Sequence, residues 1–120
     1  MSGLNGTDQK LFDYYPRLKR LRQYVEQSYS EPIPLEKAAG IAALESTYFS
    51  SYFRAKVGIT FTEWLRQVRV KKAMELIKAR DLSITEIAYE VGFGDLRTFE
   101  RAFKKQTQMT PIEFKNSARA

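Results

Sequence analysis

Two arginines four residues apart, Arg97 and Arg101, share one helical face with Leu96, Glu100 and Lys104. Each guanidinium can bond bidentately to the edge of a guanine, a contact that discriminates between bases by roughly 1–3 kcal/mol. Glu100 can accept from a cytosine amino group and Leu96 can pack on a thymine methyl. The plainer role for Glu100 is an ion pair with Arg97 or Lys104 at helical spacing, worth about 0.2–0.5 kcal/mol. A second face carries Thr47, Ser50, Ser51 and Arg54. Its hydroxyls reach bases only by close approach or through water, and Arg54 at its end suits a phosphate. This is recognition chemistry rather than bond-making. The chain has neither His nor Cys, so the usual general base and the usual metal ligands are absent. The Asp, Glu, Lys and Tyr residues form no recognisable catalytic constellation, and nothing calls for a metal or cofactor. No enzyme is expected.

The elements that position these faces follow from periodicity. Residues 1–11 are Gly-rich and polar and predict a loose tail. From Phe12 the pattern is helical, with Tyr15, Leu18, Leu21, Val25 and Tyr29 at three- and four-residue spacing, until Pro32 and Pro34 end it. Tyr14, Tyr15, Tyr24 and Tyr29 offer a candidate stacking platform for single strands, but their spacing fits core packing better. A long helix is predicted from Phe61 to about Lys78, opened by the capping box Thr60-x-x-Glu63. Ser83-x-x-Glu86 and Thr110-Pro111-x-Glu113 repeat that device. No segment alternates as a strand does, so the fold class is all-α with about seven helices.

The chain also repeats itself. At an offset of 50 residues Glu36 meets Glu86, Ala38 meets Ala88, Phe49 meets Phe99 and Phe53 meets Phe103. Thr60 meets Thr110 and Glu63 meets Glu113, while Ile41 pairs with Val91, Ile59 with Met109 and Trp64 with Phe114. The shared positions are apolar or capping, so one supersecondary unit is used twice with different outer surfaces. Each copy reads as short helix, tight turn and longer helix. The turns fall near Ala42–Ala43 and at Gly92, where positive φ is needed, and Asp95 is placed to cap the second helix. Ile87, Ala88, Val91, Phe99, Ala102 and Phe103 form the inward side of the second copy; Ala38, Ile41, Phe49 and Phe53 do so in the first. Helix, turn and helix with a polar outer face is the geometry that seats a helix in a major groove. The organisation is then a tail at 1–11, a first helix-turn-helix subdomain at 12–60, a linker helix at 61–80 and a second subdomain at 81–120, with homeodomain-like halves.

The residues Ile87 to Lys105 (IAYEVGFGDLRTFERAFKK) and Met109 to Lys115 (MTPIEFK) closely resemble the signature of the AraC/XylS family of bacterial transcription regulators. Val68 to Ile77 resembles that family's linker helix and Leu35 to Phe53 its first helix-turn-helix, so the likeness covers roughly residues 14–117. The resemblance implies two recognition helices in successive major grooves and transcriptional control, most often activation through contact with RNA polymerase. The family often has a long or basic side chain where this chain has Ser51, so less sequence reading is expected from the first unit. It also makes Arg69 partly structural.

Charge agrees with a polyanionic partner. The 120 residues carry 20 Lys and Arg against 14 Asp and Glu, a net +6. The linker holds Arg66, Arg69, Lys71, Lys72, Lys78 and Arg80 against Glu75 alone. At least half of these serve as a solvated face, and the remainder suit phosphates. About six phosphate contacts in all would give a log–log salt slope near −5. A linker of about 18 residues is roughly 27 Å long, short of the ~34 Å between successive major grooves. Bending of the duplex is therefore expected, at about 1–6 kcal/mol for 40–90°. There is no apolar run long enough to span a membrane and no signal core, so a cytoplasmic, nucleoid-associated protein is expected. No heptad seam is present, which favours a monomer covering both half-sites, either standing alone or as the DNA-binding part of a longer regulator. The alternatives are an architectural or repressing DNA-binding protein without polymerase contact, and a helical protein-interaction module.

Overall fold

In a computed structural model the described residues are 6–119, with side chains described from Gln9. They form eight α-helices and no strand: α1 (Gly6–Tyr14), α2 (Pro16–Ser28), α3 (Leu35–Ile41), α4 (Ser46–Val57), α5 (Phe61–Ala79), α6 (Ile84–Glu90), α7 (Leu96–Thr107) and α8 (Pro111–Ala118). The chain divides into two compact units, Met1–Leu65 and Arg66–Ala120, with the division falling inside α5.

Unit 1 is built on aromatic rings. Phe12 stacks on Trp64 with centroids 5.0 Å apart and tilts against Phe53 at 6.0 Å; Phe61 meets Phe53 edge-on at 5.6 Å. Leu18, Leu21 and Val25 of α2 are fully buried, and Ala38, Ala39 and Ala42 keep the helices close. The predicted loose tail is corrected here: residues 6–11 belong to α1, and residues 1–5 lie outside the described part. Burial of Phe12 gives the segment a reason to fold, and Arg22 ties α1 to α2 through Asp13 at 2.7 Å while also reaching Glu26 at 2.6 Å. The helix breaks at Tyr15 because Pro16 follows it; Tyr15 takes the extended conformation (φ −104°, ψ 111°) that the pyrrolidine ring imposes on its predecessor. That break adds the eighth helix.

The tyrosines are also a correction. Tyr14 is 77% exposed and Tyr15, Tyr24 and Tyr29 are only half-buried, so the leucines and Val25 make the core of the stem instead. A phenol needs a partner for its hydroxyl, which keeps such rings at the rim.

In unit 2, Ile77 of α5, Ile87, Ala88 and Val91 of the α6 region and Phe99 and Phe103 of α7 are fully buried. Ring contacts run from Phe93 to Phe99 (5.2 Å), on to Phe103 (5.6 Å) and to Phe114 of α8 (5.5 Å). Ala102 and, in unit 1, Ile41 are half-buried rather than fully inward. Arg119 closes the α5 end, donating to the carbonyls of Ile77 (3.1 Å) and Arg80 (2.6 Å), while Lys115 donates to Leu82 (3.1 Å). These carbonyls have no helical partner, and a cation is the natural donor there.

The internal repeat is real but its register shifts. From the N-caps Glu45 and Asp95 onward the offset is 50, through Phe49 and Phe99 to the left-handed C-caps Gly58 and Gln108. Before those caps it is 49. Pro34 and Ser83 precede α3 and α6, Ala39 and Ala88 are the closely packed alanines, and Ala43 and Gly92 take positive φ. The pairings of Glu36 with Glu86, Ala38 with Ala88 and Ile41 with Val91 are thus one residue out. Gly94 is the additional residue, which lengthens the second turn.

Candidate nucleic-acid interface

Each unit presents the second helix of a helix-turn-helix with one face buried and one open. On α4, Phe49 and Phe53 point inward and fix the rotation of the helix. Thr47, Ser50, Ser51 and Arg54 are then all exposed along the opposite side. Glu45 starts this helix, accepting from the N–H groups of Thr47 (3.1 Å) and Tyr48 (3.0 Å). Those two bonds hold its carboxyl below the ordinary carboxylate range. Gly58 ends it at φ 96°.

On α7, Phe99 and Phe103 are the buried pair, and Arg97, Glu100, Arg101 and Lys104 are exposed opposite them. Leu96 is half-buried. Asp95 accepts from the N–H of Thr98 at 2.7 Å and from its hydroxyl at 3.0 Å, which lowers the Asp95 pKa. The five α7 side chains therefore share one open face, as do the four on α4.

The two faces differ in kind. Unit 1 contains eight Lys and Arg against seven Asp and Glu, a net +1; unit 2 contains twelve against seven, a net +5. Nearly all the excess charge thus belongs to the unit whose second helix carries two arginines.

The linker cations are partly committed elsewhere. Arg80 pairs with Glu90 at 2.9 Å, Lys72 approaches Glu75 at 4.0 Å, and Lys78 lies 5.8 Å over the ring of Phe114. Arg69 is half-buried; desolvation first, then the neighbouring Arg66, lowers its pKa.

Two features escaped the reading of the residues. Tyr48 is 57% exposed beside the α4 face and contacts Tyr52 at 6.0 Å; Lys56 lies 5.2 Å over Tyr15 and 5.8 Å over Tyr52. Arg17 donates to the carbonyls of Ala42 (3.1 Å) and Ala43 (2.8 Å) in the first turn. Tyr48, Tyr52 and Lys56 stand four residues apart along α4, a spacing the sequence already carries, whereas the contacts of Tyr15 and Arg17 depend on which elements lie opposite.

Two short-helix, turn, long-helix units with open polar faces on the longer helices define a helix-turn-helix protein. A family model described as a helix-turn-helix domain matches residues 38–117. The transcriptional activator RhaR of Escherichia coli is 32% identical over 99 residues, covering 82% of this chain and 35% of RhaR. The C-terminal domain of the response regulator yesN from Fusobacterium nucleatum is 34% identical, covers 81% of this chain and 95% of that domain, and superposes with a TM-score of 0.73. The DNA-binding domain of AdpA, solved with a target DNA, shares the fold at TM-score 0.79 and 24% identity, covering 87% of this chain and 93% of that one. The chain belongs to the AraC/XylS family of helix-turn-helix transcription regulators. It spans about a third of the length of the first curated relatives it matches.

Proposed function

We propose that this chain binds double-stranded promoter DNA sequence-specifically and regulates transcription, most simply as an activator touching RNA polymerase. The observation that carries the reading is the open α7 face, where Arg97, Glu100, Arg101 and Lys104 stand opposite the buried Phe99 and Phe103. On this reading α7 reads base edges in one major groove, with Arg101 and Arg97 on guanines. α4 occupies the successive groove, where Thr47, Ser50 and Ser51 make close or water-bridged contacts and Arg54 takes a phosphate. Residues 12–60 and 81–120 act as the two reading subdomains and 61–80 as the helix joining them. The 19 residues of α5 are about 28 Å long, so simultaneous docking calls for some bending of the duplex. The protein works as a monomer in the cytoplasm and needs no cofactor. Among the described residues no helix is long and apolar enough to cross a membrane.

Selection of preferred duplexes from a random library at about 150 mM salt tests the reading, because non-specific binding is weak there. Two enriched boxes about one helical turn apart support it in full. One strong box supports α7 as the dominant reader. No enrichment with salt-sensitive binding refutes sequence-specific regulation by this chain and leaves architectural binding.

A further inference from the structure

We propose that Arg17 is a positioning residue for the first recognition helix, a clamp that aims α4 without touching DNA; the inference rests on the DNA-reading role of α4. The two turns are wired alike. Ala43 and Leu44 donate to Gly40 and Ala39 at 3.0 and 2.9 Å, as Gly92 and Phe93 donate to Tyr89 and Ala88 at 3.0 Å each. Their central residues differ. Gly92 takes φ 104° without a side chain to object, whereas Ala43 is held at φ 59°, a region an L-residue with a Cβ seldom occupies.

The bonds from Ala43 to Gly40 and from Leu44 to Ala39 hold Ala43 there, and Arg17 is the element added to them. Its Nη1 donates to both Ala42 and Ala43 carbonyls, the free acceptors that follow α3. The backbone at Arg17 is anchored between Pro16, which starts α2, and the fully buried Leu18. It makes no ion pair among the described residues. Both bonds of its Nη1 therefore go to the turn that ends at Glu45, the cap of α4.

The need for such a clamp follows from the side chains α4 carries. Thr47, Ser50 and Ser51 turn about one side-chain torsion each, so a small tilt of α4 takes their hydroxyls out of reach of base edges. Arg97 and Arg101 on α7 have long flexible stems and can follow a base when the backbone shifts. The unit with short readers has the clamped turn, and the unit with long readers has the glycine turn.

The test uses Arg17→Met, Ala43→Gly and the double variant, on the duplex chosen by library selection and on the free protein. Arg17→Met is expected to lower base discrimination in the first box about tenfold, the loss of a charge-assisted bond pair. Discrimination in the second box and the salt slope stay unchanged, and the Leu44 amide exchanges faster in the free protein. Ala43→Gly, which lets the first turn hold its shape as the second does, restores most of the lost discrimination in the double variant. Reduction of the salt slope by about one with base preference intact would make Arg17 a phosphate contact and overturn the proposal. So would an unchanged Leu44 exchange rate, or a double variant no better than Arg17→Met. A wild-type protein without first-box preference, yet with faster Leu44 exchange in Arg17→Met, would sink the reading role of α4 while leaving the clamp as a purely structural device.

Discussion

Replacing Phe12 by Ala tests whether α1 is part of the core that backs α4. The ring is 1% exposed, stacks on Trp64 at 5.0 Å and tilts against Phe53 at 6.0 Å. Burying a phenylalanine is worth about 1.5–3 kcal/mol, and ring pairs and the cavity left behind bring a Phe→Ala loss to roughly 3–5 kcal/mol. Small domains have net stabilities of about 5–15 kcal/mol, so the change removes a large share of what holds unit 1 together. Urea unfolding followed by tryptophan fluorescence reads this directly, because Trp64 is the chain's one tryptophan and lies against the deleted ring. With a urea dependence of about 1–2 kcal/mol per molar, the midpoint should fall by about 1.5 M or more. In DNA binding, preference for the first box should weaken before that for the second, since Phe53 is the inner side of α4. A midpoint shift below about 0.5 M would mean that α1 does not deliver Phe12 to the core, and the sequence-based picture of a loose segment ahead of α2 would be the better one.

Arg101→Ala should cost roughly 1–3 kcal/mol on the best site and relax preference at one or two base pairs, whereas Lys104→Ala should weaken all sequences alike and reduce the salt slope by about one; titrations on matched and mutated duplexes at several salt concentrations separate the two. Acid should lower stability through the helix caps. The carboxyls of Glu45, Glu86, Asp95 and Glu113 are held below their ordinary values by backbone N–H donors, so their contribution is complete above the unfolded pKa and is lost as pH falls through the folded one. Melting temperature should therefore be flat from about pH 5 to 8 and drop below about pH 4, and a step within the flat window would contradict the assignment, the chain having no His to titrate there. Gly58→Ala meets no atom within 4 Å of the new Cβ, so its cost is the left-handed backbone alone, about 1–2 kcal/mol; a thermal melt showing no loss would mean that the α4 cap adopts another conformation.

The parts of the fold legible in the residues were those with local causes. Ser83 and Thr110 form complete capping boxes with Glu86 and Glu113, and Gly92 takes the positive φ expected of it. The exposed faces of α4 and α7 follow from the phenylalanines that set the rotation of each helix. What escaped had distant causes. Whether residues 6–11 fold depends on Trp64, more than fifty positions away, accepting the ring of Phe12. Tyr14 falls at helical spacing but has no buried partner, and periodicity alone does not say which of two candidate faces is covered. Arg17 is invisible for the same reason, since its acceptors are backbone carbonyls 25 and 26 residues on.

The shifted register places the difference between the two copies in their turns. At an offset of 50 the long helices coincide, marked by their buried phenylalanines, while the short helices fall one residue out of place. The identity of Glu36 with Glu86 is coincidental, because the caps Pro34 and Ser83 stand 49 residues apart and Glu45 and Asp95 stand 50 apart. With the caps aligned, a three-residue turn containing Gly92 and Gly94 in unit 2 stands against a two-residue turn of Ala43 and Leu44 in unit 1. The shorter turn has a residue in a left-handed conformation and an arginine bonded to its carbonyls; the longer has glycine and no such bond among the described residues. Backbone freedom and side-chain length are thus traded in opposite directions. On the proposed reading role, the arginine-bonded turn accompanies the short Thr47, Ser50 and Ser51 of α4 and the glycine turn the long arginines of α7, so substitutions in either turn should alter base preference only in the box read by its own helix.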